Sequence, residues 1–572
     1  MEESSTTPFA KRWLPWVLLA AVCLLGFFAA LGSFHLIDVD EPRYAGAARE
    51  MMAGGDWLTP HFNSVVRFDK PVLFYWLIAL AYGIFGINEF AARFWSAALA
   101  SGLVFFLYGA MRRDMGERAA VAGSVILATS LQFFALARLA ITDMALTAFL
   151  GGSAISFYRA LTADARSSKT WAFFSYLLMG LAVLTKGPVG LVLPSAAAVL
   201  FVLCKRNFRE DIKKLHLSWG IPLFLAIALP WYLLMIAKHG EAFIDNFFLR
   251  QNFGRFLQIT SGHGGSPFYY LPILLGGFLP WTPFLPQSLW QAWKTMRGQE
   301  PLESGRRAAV TYWLLFGAIT FVFYSLSRSK LATYITPDYL PLAVLTGLLW
   351  SRSLSSPGKL APGLGAGAVV TALYLLLASA GALQSPRFLH LFREAIDPKT
   401  GNPLELGIGP FLLGAGFLAA AVAAFFSALR KRALLCFGAI AGSSLIMILI
   451  TLTAVVPILD EVRHGRLGEL SKMAGREAAP DDTIVSYGLK KTSVVFYSGR
   501  PVREVDQGDL RLLKTLEQGR KGLWVLSRIE YEPELRQIGL VIHDMNPPYL
   551  LALKRATPLA NRGHNPSAAG QR

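Results

Sequence analysis

Residues 70–86 read KPVLFYWLIALAYGIFG, and whether this run crosses a membrane sets the orientation of everything after it. It is short, opens on a lysine and a proline, and is rich in Tyr and Trp. Those features suit a helix lying along the lipid–water interface, where aromatic rings and a lysine head group are both at home. Counting it as a span would invert every later loop and break the rule that Lys and Arg gather on the cytoplasmic side. We therefore read 70–86, like 41–54, as interfacial.

The remaining apolar runs fall at 13–34, 90–110, 118–137, 142–160, 171–185, 187–204, 217–237, 269–290, 308–326, 336–351, 360–383, 407–429 and 433–457. Each is near the ~20 residues that a bilayer requires, giving about thirteen spans and termini on opposite sides. The composition agrees: 54% of the 572 residues are hydrophobic and 16% charged, with a mean hydropathy of +0.43. This is an integral membrane protein. Lys11 and Arg12 precede the first span and no small-residue cleavage pattern follows it, so the span reads as an uncleaved anchor with a cytoplasmic N-terminus.

With that orientation the inside loops, among them MRRDMGER, KRNFREDIKK and RKR, together hold more than twice as many Lys and Arg as Asp and Glu. The net charge of +18 is thus a topological signal, and no nucleic-acid partner is expected. The outside loops carry every acidic or mixed-charge cluster, so the functional face is expected outward, on the periplasmic side of a bacterial inner membrane. The three cysteines lie in or at the ends of apolar runs without metal or disulfide spacing and read as packing residues.

From about 459 the composition becomes charged. DTIVSYG, SVVFYSG, KGLWVLS and LVIHD read as strands and GDLRLLKTLEQG as a helix. The expected domains are a membrane domain at 1–458, a periplasmic α/β domain at 459–556 and a disordered tail at 557–572. No internal repeat or mid-span charge supports a transporter.

The outward clusters carry the chemistry. In DVDEPRYAGAARE (38–50), Asp40 can cap a helix whose first turn holds Glu41 and Pro42, with Tyr44, Ala48 and Met51 or Met52 as an apolar stripe against the membrane. A cap alone would not need Glu41 and Arg43 beside it, and Asp38 reads as a solvated neighbour. Asp69 and Lys70 can be an anchor with its counter-charge, or a phosphate-binding pair. Asp143 opens a span, where a plain cap is the bland alternative. Lys186 closes one on the outside, against the general charge bias. The loop 247–270 brings Arg250, Arg255 and His263, and SRSKLATYITPDY brings Lys330 and Tyr334, all groups able to hold an anion. No second ligand stands at metal spacing from His263.

Taken in order, DEPRYAGAAREMMAGGDWLTPHFN, RFDKPVLFYWLIALAYGIFGINEFAARFWSA, TDMALTAF, LTKGP and KLATYITP resemble the polytopic glycosyltransferases of the dolichyl-phosphate-mannose protein mannosyltransferase superfamily. Within it they are most similar to the bacterial aminoarabinose transferases of lipid A. The resemblance implies a GT-C type fold, all-α in the membrane, and inverting transfer of a sugar from a polyprenyl-phosphate carrier to lipid A or a related envelope acceptor. 4-Amino-4-deoxy-L-arabinose is one sugar it allows. A protein hydroxyl, another envelope glycan or, in a different class, transport of a lipid-linked sugar are the alternatives.

It also implies catalytic roles for Asp40 and Asp143, and substrate binding by Glu41, Arg43, Asp69, Lys70, Lys186, Arg255 and Tyr334. The family's Glu-Lys-Pro is Asp69-Lys70-Pro71 here, and its Glu-His ahead of the loop arginine is Gln251-Asn252. A divalent metal, with His263 and Asp69 as candidate ligands, is therefore left open.

Overall fold

The computed structural model describes residues 9–205, 208–258, 264–299, 304–391, 396–518 and 522–554. The chain divides into two compact units, one of residues 1–34, 47–395 and 404–458, the other of residues 35–46, 396–403 and 459–572.

The first unit is helical. Its elements begin with α1 (Phe9–Cys23), α2 (Asp40–Gly54, which crosses into this unit), α3 (Leu73–Phe85), α4 (Glu89–Met115), α5 (Glu117–Thr129), α6 (Leu131–Ala137), α7 (Thr142–Thr162), α8 (Ala165–Lys186) and α9 (Val189–Cys204). Between α2 and α3 lies a small antiparallel hairpin of β1 (His61–Phe62) and β2 (Val65–Val66). Long helices follow at Leu217–His239, Ser304–Leu326, Tyr339–Leu354, Leu364–Phe388, Gly409–Leu429 and Ala433–Ile450. Among the described residues, 7 helices are long and apolar enough to cross a membrane, or up to 8 if α5 and α6, bent by 67° at Ser130, form one span.

Helix α3 has 13 residues. At about 1.5 Å per residue it reaches roughly 20 Å, short of the ~30 Å hydrocarbon core. Helix α7 is the hub, because its whole apolar window is buried. It accommodates that position with small residues: Gly151 and Gly152 let Leu340, Leu103 and Leu178 approach within 2.9–3.5 Å of where a Cβ would stand. The run expected as one span at 269–290 is broken instead, into Tyr270–Gly277 and Leu285–Met296, around Pro280 and Pro283. Proline supplies no amide N–H and clashes with the preceding turn, which explains the break.

Two buried arginines finish the first helix. The Arg93 guanidinium donates to the carbonyls of Leu31 and Phe34 at 3.1 and 2.9 Å, and Arg138 to those of Gly26 and Phe27, both at 3.0 Å. Gly26 and Phe27 lie in the π-helical turn Leu24–Phe28 that prolongs the first helix, so Arg138 satisfies end carbonyls there and its charge favours that end of the dipole, while Arg93 ties down Leu31 and Phe34 in the stretch that follows. The apolar stripe of α2 differs from expectation. Tyr44, Ala48 and Met51 are buried within the protein and do not face lipid, while Met52 is half-buried. Cys204 also departs from the packing role, being exposed, whereas Cys23 and Cys436 are buried.

The second unit carries a five-stranded sheet of order β4-β3-β5-β7-β6. The strands are β3 (Thr483–Tyr487), β4 (Val502–Val505), β5 (Leu523–Arg528), β6 (Val541–Asn546) and β7 (Tyr549–Lys554). Strands β3, β4 and β5 run parallel, while β7 is antiparallel to β5 and to β6. Val485, Leu513, Val525, Leu535 and Leu550 form its core. The expected helix is present at Leu510–Glu517, but SVVFYS, expected as a strand, is a helix over Ser493–Ser498. All six of its residues are buried, so the continuous apolar run carried no period to tell a strand from a buried helical turn. β4 and β7 were not anticipated. The tail 557–572 lies outside the described residues.

Candidate active site

The chemistry-bearing positions of the first unit meet because α7 and α8 form an antiparallel hairpin. The start of α7 therefore lies beside the end of α8, and a carboxylate in one first turn can meet a lysine in the other's last turn, as both helix dipoles favour. Lys186 Nζ donates to Asp143 Oδ1 at 2.7 Å. Both side chains are largely buried. Gly187 follows with φ +96, a left-handed conformation that glycine adopts without strain, and a Cβ there would stand 3.1 Å from Asn252 Oδ1.

The Lys186 ammonium also lies 4.2 Å above the ring of Tyr334. Arg255 Nη1 donates to the Tyr334 hydroxyl at 3.3 Å. Arg255 is itself pinned through its backbone, its carbonyl accepting from Ser329 N and that of Phe256 from Arg328 N. Asp69 accepts from Arg67 Nη2 at 3.0 Å and from Gln251 Nε2 at 2.9 Å, and the Lys70 ammonium donates to the Asp69 carbonyl at 2.9 Å.

Asp69, Lys70, Lys186, Arg255 and Tyr334 thus line a single cavity of about 280 Å³. Its remaining wall is largely apolar and aromatic, including Val189, Val192, Phe253, Phe256, Phe323 and Tyr324. Burial, reinforced by the neighbouring Arg255 and Lys186, pushes the Lys70 ammonium down to about 7. Three cations, Lys70, Lys186 and Arg255, line this greasy cavity with two carboxylates near them, Asp143 and Asp69, and Asp69 is already engaged by Arg67 and Gln251; an incoming anion would relieve the cations' mutual repulsion.

The Asp69 carboxylate does not fit a divalent cation, since its two oxygens accept from a guanidinium and an amide. Among the described residues no group of three or more His, Cys, Asp or Glu could hold a metal. His263 lies outside the described residues. Two other candidates stand apart from the cavity lining. Arg250 is exposed and reaches Asn246. Lys330 is buried and donates to the carbonyls of Tyr324, Ser325 and Ser327, finishing the helix that ends at Leu326. Arg67 and Gln251 are the contributors missed from sequence; the hint was their place two and four residues from the chosen Asp69 and Arg255.

Asp40, Glu41 and Arg43 belong to the second unit. Asp40 is exposed at the first position of α2, and Glu41 is buried, its Oε2 accepting from Ile37 N at 2.8 Å. Asp38 is not the solvated neighbour that its sequence context suggested. Its side chain is 5% exposed and bound to Ser493 and Thr492.

The chain is 33% identical over 396 residues to the undecaprenyl phosphate-alpha-4-amino-4-deoxy-L-arabinose arabinosyl transferase of Edwardsiella ictaluri, a match covering 66% of this chain and 68% of that one. This chain belongs to that transferase family. A second member, from Pseudomonas fluorescens, is 32% identical over 388 residues, 65% of this chain and 64% of its own. Residues 69–233, which include Asp69, Lys70, Asp143 and Lys186, match the dolichyl-phosphate-mannose-protein mannosyltransferase family model. The crystal structure of ArnT from Cupriavidus metallidurans bound to undecaprenyl phosphate superposes with a TM-score of 0.78 at 25% identity, covering 95% of this chain and 98% of the other. The likeness of fold thus covers residues of both the helical unit and the sheet unit.

Proposed function

We propose that this protein is a glycosyltransferase that moves a sugar, 4-amino-4-deoxy-L-arabinose, from undecaprenyl phosphate to lipid A at the periplasmic face of the inner membrane. The observation that carries the reading is the cavity in which Lys70, Lys186, Arg255 and Tyr334 converge beneath an aromatic and aliphatic wall. Such a site suits a phosphate joined to a long hydrocarbon. Relatives named for this reaction, and a solved relative bound to undecaprenyl phosphate, support it.

In the reaction an acceptor oxygen attacks the anomeric carbon from the face opposite the carrier. The new C–O bond forms as the bond to the carrier phosphate breaks, so the configuration inverts and the phosphate departs with the electron pair. Lys70, Arg255, Lys186 and the Tyr334 hydroxyl stabilise the negative charge that grows on that phosphate. Asp40 stabilises the positive charge on the sugar, and Asp143 holds the Lys186 ammonium in place. A lipid A phosphate is already ionised and needs orientation more than deprotonation; a hydroxyl acceptor would need Asp40 as base.

This reading keeps thirteen crossings, with 269–290 crossing as a broken helix, a cytoplasmic N-terminus, an interfacial helix at 70–86, and a periplasmic domain at 459–556. The test is transfer by purified protein from undecaprenyl-phosphate aminoarabinose to lipid A, read as a mass shift of the product. Asp40→Asn is expected to abolish the shift, and full transfer by that variant would remove the catalytic assignment. Modification of a protein instead of lipid A would replace the acceptor.

A further inference from the structure

The acidic segment that carries Asp40 leaves the first helix and is bound along its length by the C-terminal sheet unit, within which residues 35–46 are integrated. His35 donates its backbone N–H to Asp460 Oδ2 at 2.9 Å, and its ring Nδ1 lies 2.7 Å from the same oxygen. Leu36 N donates to the Tyr497 hydroxyl at 2.8 Å. Asp38 is the centre of the attachment. Its Oδ1 accepts from Ser493 N at 2.8 Å and from Thr492 Oγ1 at 3.1 Å, its Oδ2 accepts from Ser493 Oγ at 2.6 Å, and Lys491 Nζ stands 3.6 Å away. Thr492 Oγ1 also bonds the Val39 carbonyl at 2.7 Å, so the residue before Asp40 is gripped through its main chain.

A simple covalent linker would not need this. Burying a carboxylate is costly unless it is matched by donors, and here one helix start, Thr492-Ser493, supplies a backbone N–H and two hydroxyls to a residue more than 450 positions away in sequence. The run read from sequence as a strand, SVVFYS, is helical at the point of contact, and its first amide and hydroxyl both point at Asp38. Tyr497, one turn on, supplies the bond to Leu36.

We propose that the C-terminal domain is a positioning element of the transferase, acting through Asp38, which fixes the segment carrying Asp40 by its bonds to Thr492 and Ser493. This inference rests on the assignment of Asp40 above. Asp38 does not itself touch substrate. It determines where the Asp40 carboxylate stands, and misplacement of a reacting group by about 1 Å costs on the order of 100-fold in rate.

The test uses the full-length protein in detergent or nanodiscs and four variants: Asp38→Ala, Asp38→Asn, Ser493→Ala with Thr492→Val together, and Asp40→Asn. Turnover with undecaprenyl-phosphate aminoarabinose and lipid A is measured beside the Kd for undecaprenyl phosphate. Asp38→Ala and the Ser493/Thr492 double variant are expected to lose roughly 10- to 100-fold in kcat, with the Kd for the carrier unchanged within about twofold. Asp38→Asn, which keeps an oxygen for the Ser493 and Thr492 donors, is expected to recover much of the loss. Should Asp38→Ala not yield folded protein, the double variant decides alone. Wild-type kcat in the double variant beside an inactive Asp40→Asn would overturn the inference and leave the catalytic assignment standing. Loss of carrier affinity in step with kcat would also overturn it, as general damage. An active Asp40→Asn would remove the assignment of Asp40 and the inference with it.

Discussion

The Lys186 ammonium and the Asp143 carboxylate meet at 2.7 Å, each from the end of a different helix of one hairpin. Their pairing sets the charge of the cavity before any substrate enters. Asp143→Asn removes the carboxylate that pairs with Lys186, so the cavity becomes more positive. The affinity for undecaprenyl phosphate is expected to hold or tighten, while turnover falls by roughly 100- to 1,000-fold because the lysine loses its fixed orientation. Equilibrium binding and single-turnover transfer, measured on the same preparation, check both halves.

Lys70 and Arg255 differ from that pair in facing the cavity from segments outside the α7–α8 hairpin. Lys70→Met and Arg255→Met each remove one charged hydrogen-bond donor, worth about 1.5–3 kcal/mol. A rise in the Kd for undecaprenyl phosphate of roughly 10- to 100-fold is expected for each, and the double variant should lose less than the product of the two because they face one phosphate. Titration with undecaprenyl phosphate measures it.

The depressed Lys70 ammonium predicts a pH dependence of carrier binding. Its free-protein value of about 7 means that the side chain is charged below that pH and neutral above it. A bound phosphate favours the charged form and raises the value, so binding takes up a proton above pH 7. A phosphate monoester with its second pKa near 6 is already doubly ionised in that range, so its own titration does not interfere. Affinity should weaken progressively from pH 7 to 9 in the native protein and stay nearly flat in Lys70→Arg. Calorimetry in two buffers of different ionisation enthalpy would register the proton directly.

Leu513 lies on the helix Leu510–Glu517 and is fully buried against the sheet core of the second unit. Leu513→Ala leaves a cavity there and is expected to cost about 2–5 kcal/mol. Hydrogen exchange across β3 and β5 of the full-length protein should rise, and transfer should fall in parallel at temperatures where the sheet opens.

Much of the membrane architecture is written in the chain because apolar runs of bilayer length leave little freedom, and every such run carries helix. The breaks were harder to see. The 67° bend at Ser130 has no proline to announce it, and the run 269–290 has enough leucine and phenylalanine to hide the break at Pro280 and Pro283. The cavity residues were legible one at a time, since Lys70, Lys186 and Tyr334 each stand at or beside the end of an apolar run and Arg255 lies in the loop between two. The antiparallel geometry of α7 and α8 brings Lys186 to Asp143, and contacts between distant segments, Lys186 over the Tyr334 ring and Arg255 on the Tyr334 hydroxyl, join the others. Gln251 was noted only as a departure from a family pattern, yet it donates to Asp69. Asp38 was misread for the opposite reason: its partners lie in the same unit but far along the chain, and local sequence contains no trace of a bond formed across 455 residues.

That separation has a consequence for the birth of the protein. The loop between Phe34 and Tyr44 is among the first to leave the ribosome, yet His35 and Asp38 receive their partners only when residues 460 and 492–493 have been made and delivered to the same compartment. The segment that carries Asp38 therefore cannot complete its bonds until residue 493 has been made. A ribosome that stalls between residues 461 and 491 would leave His35 with its Asp460 partner and Asp38 without the Thr492 and Ser493 donors that hold it.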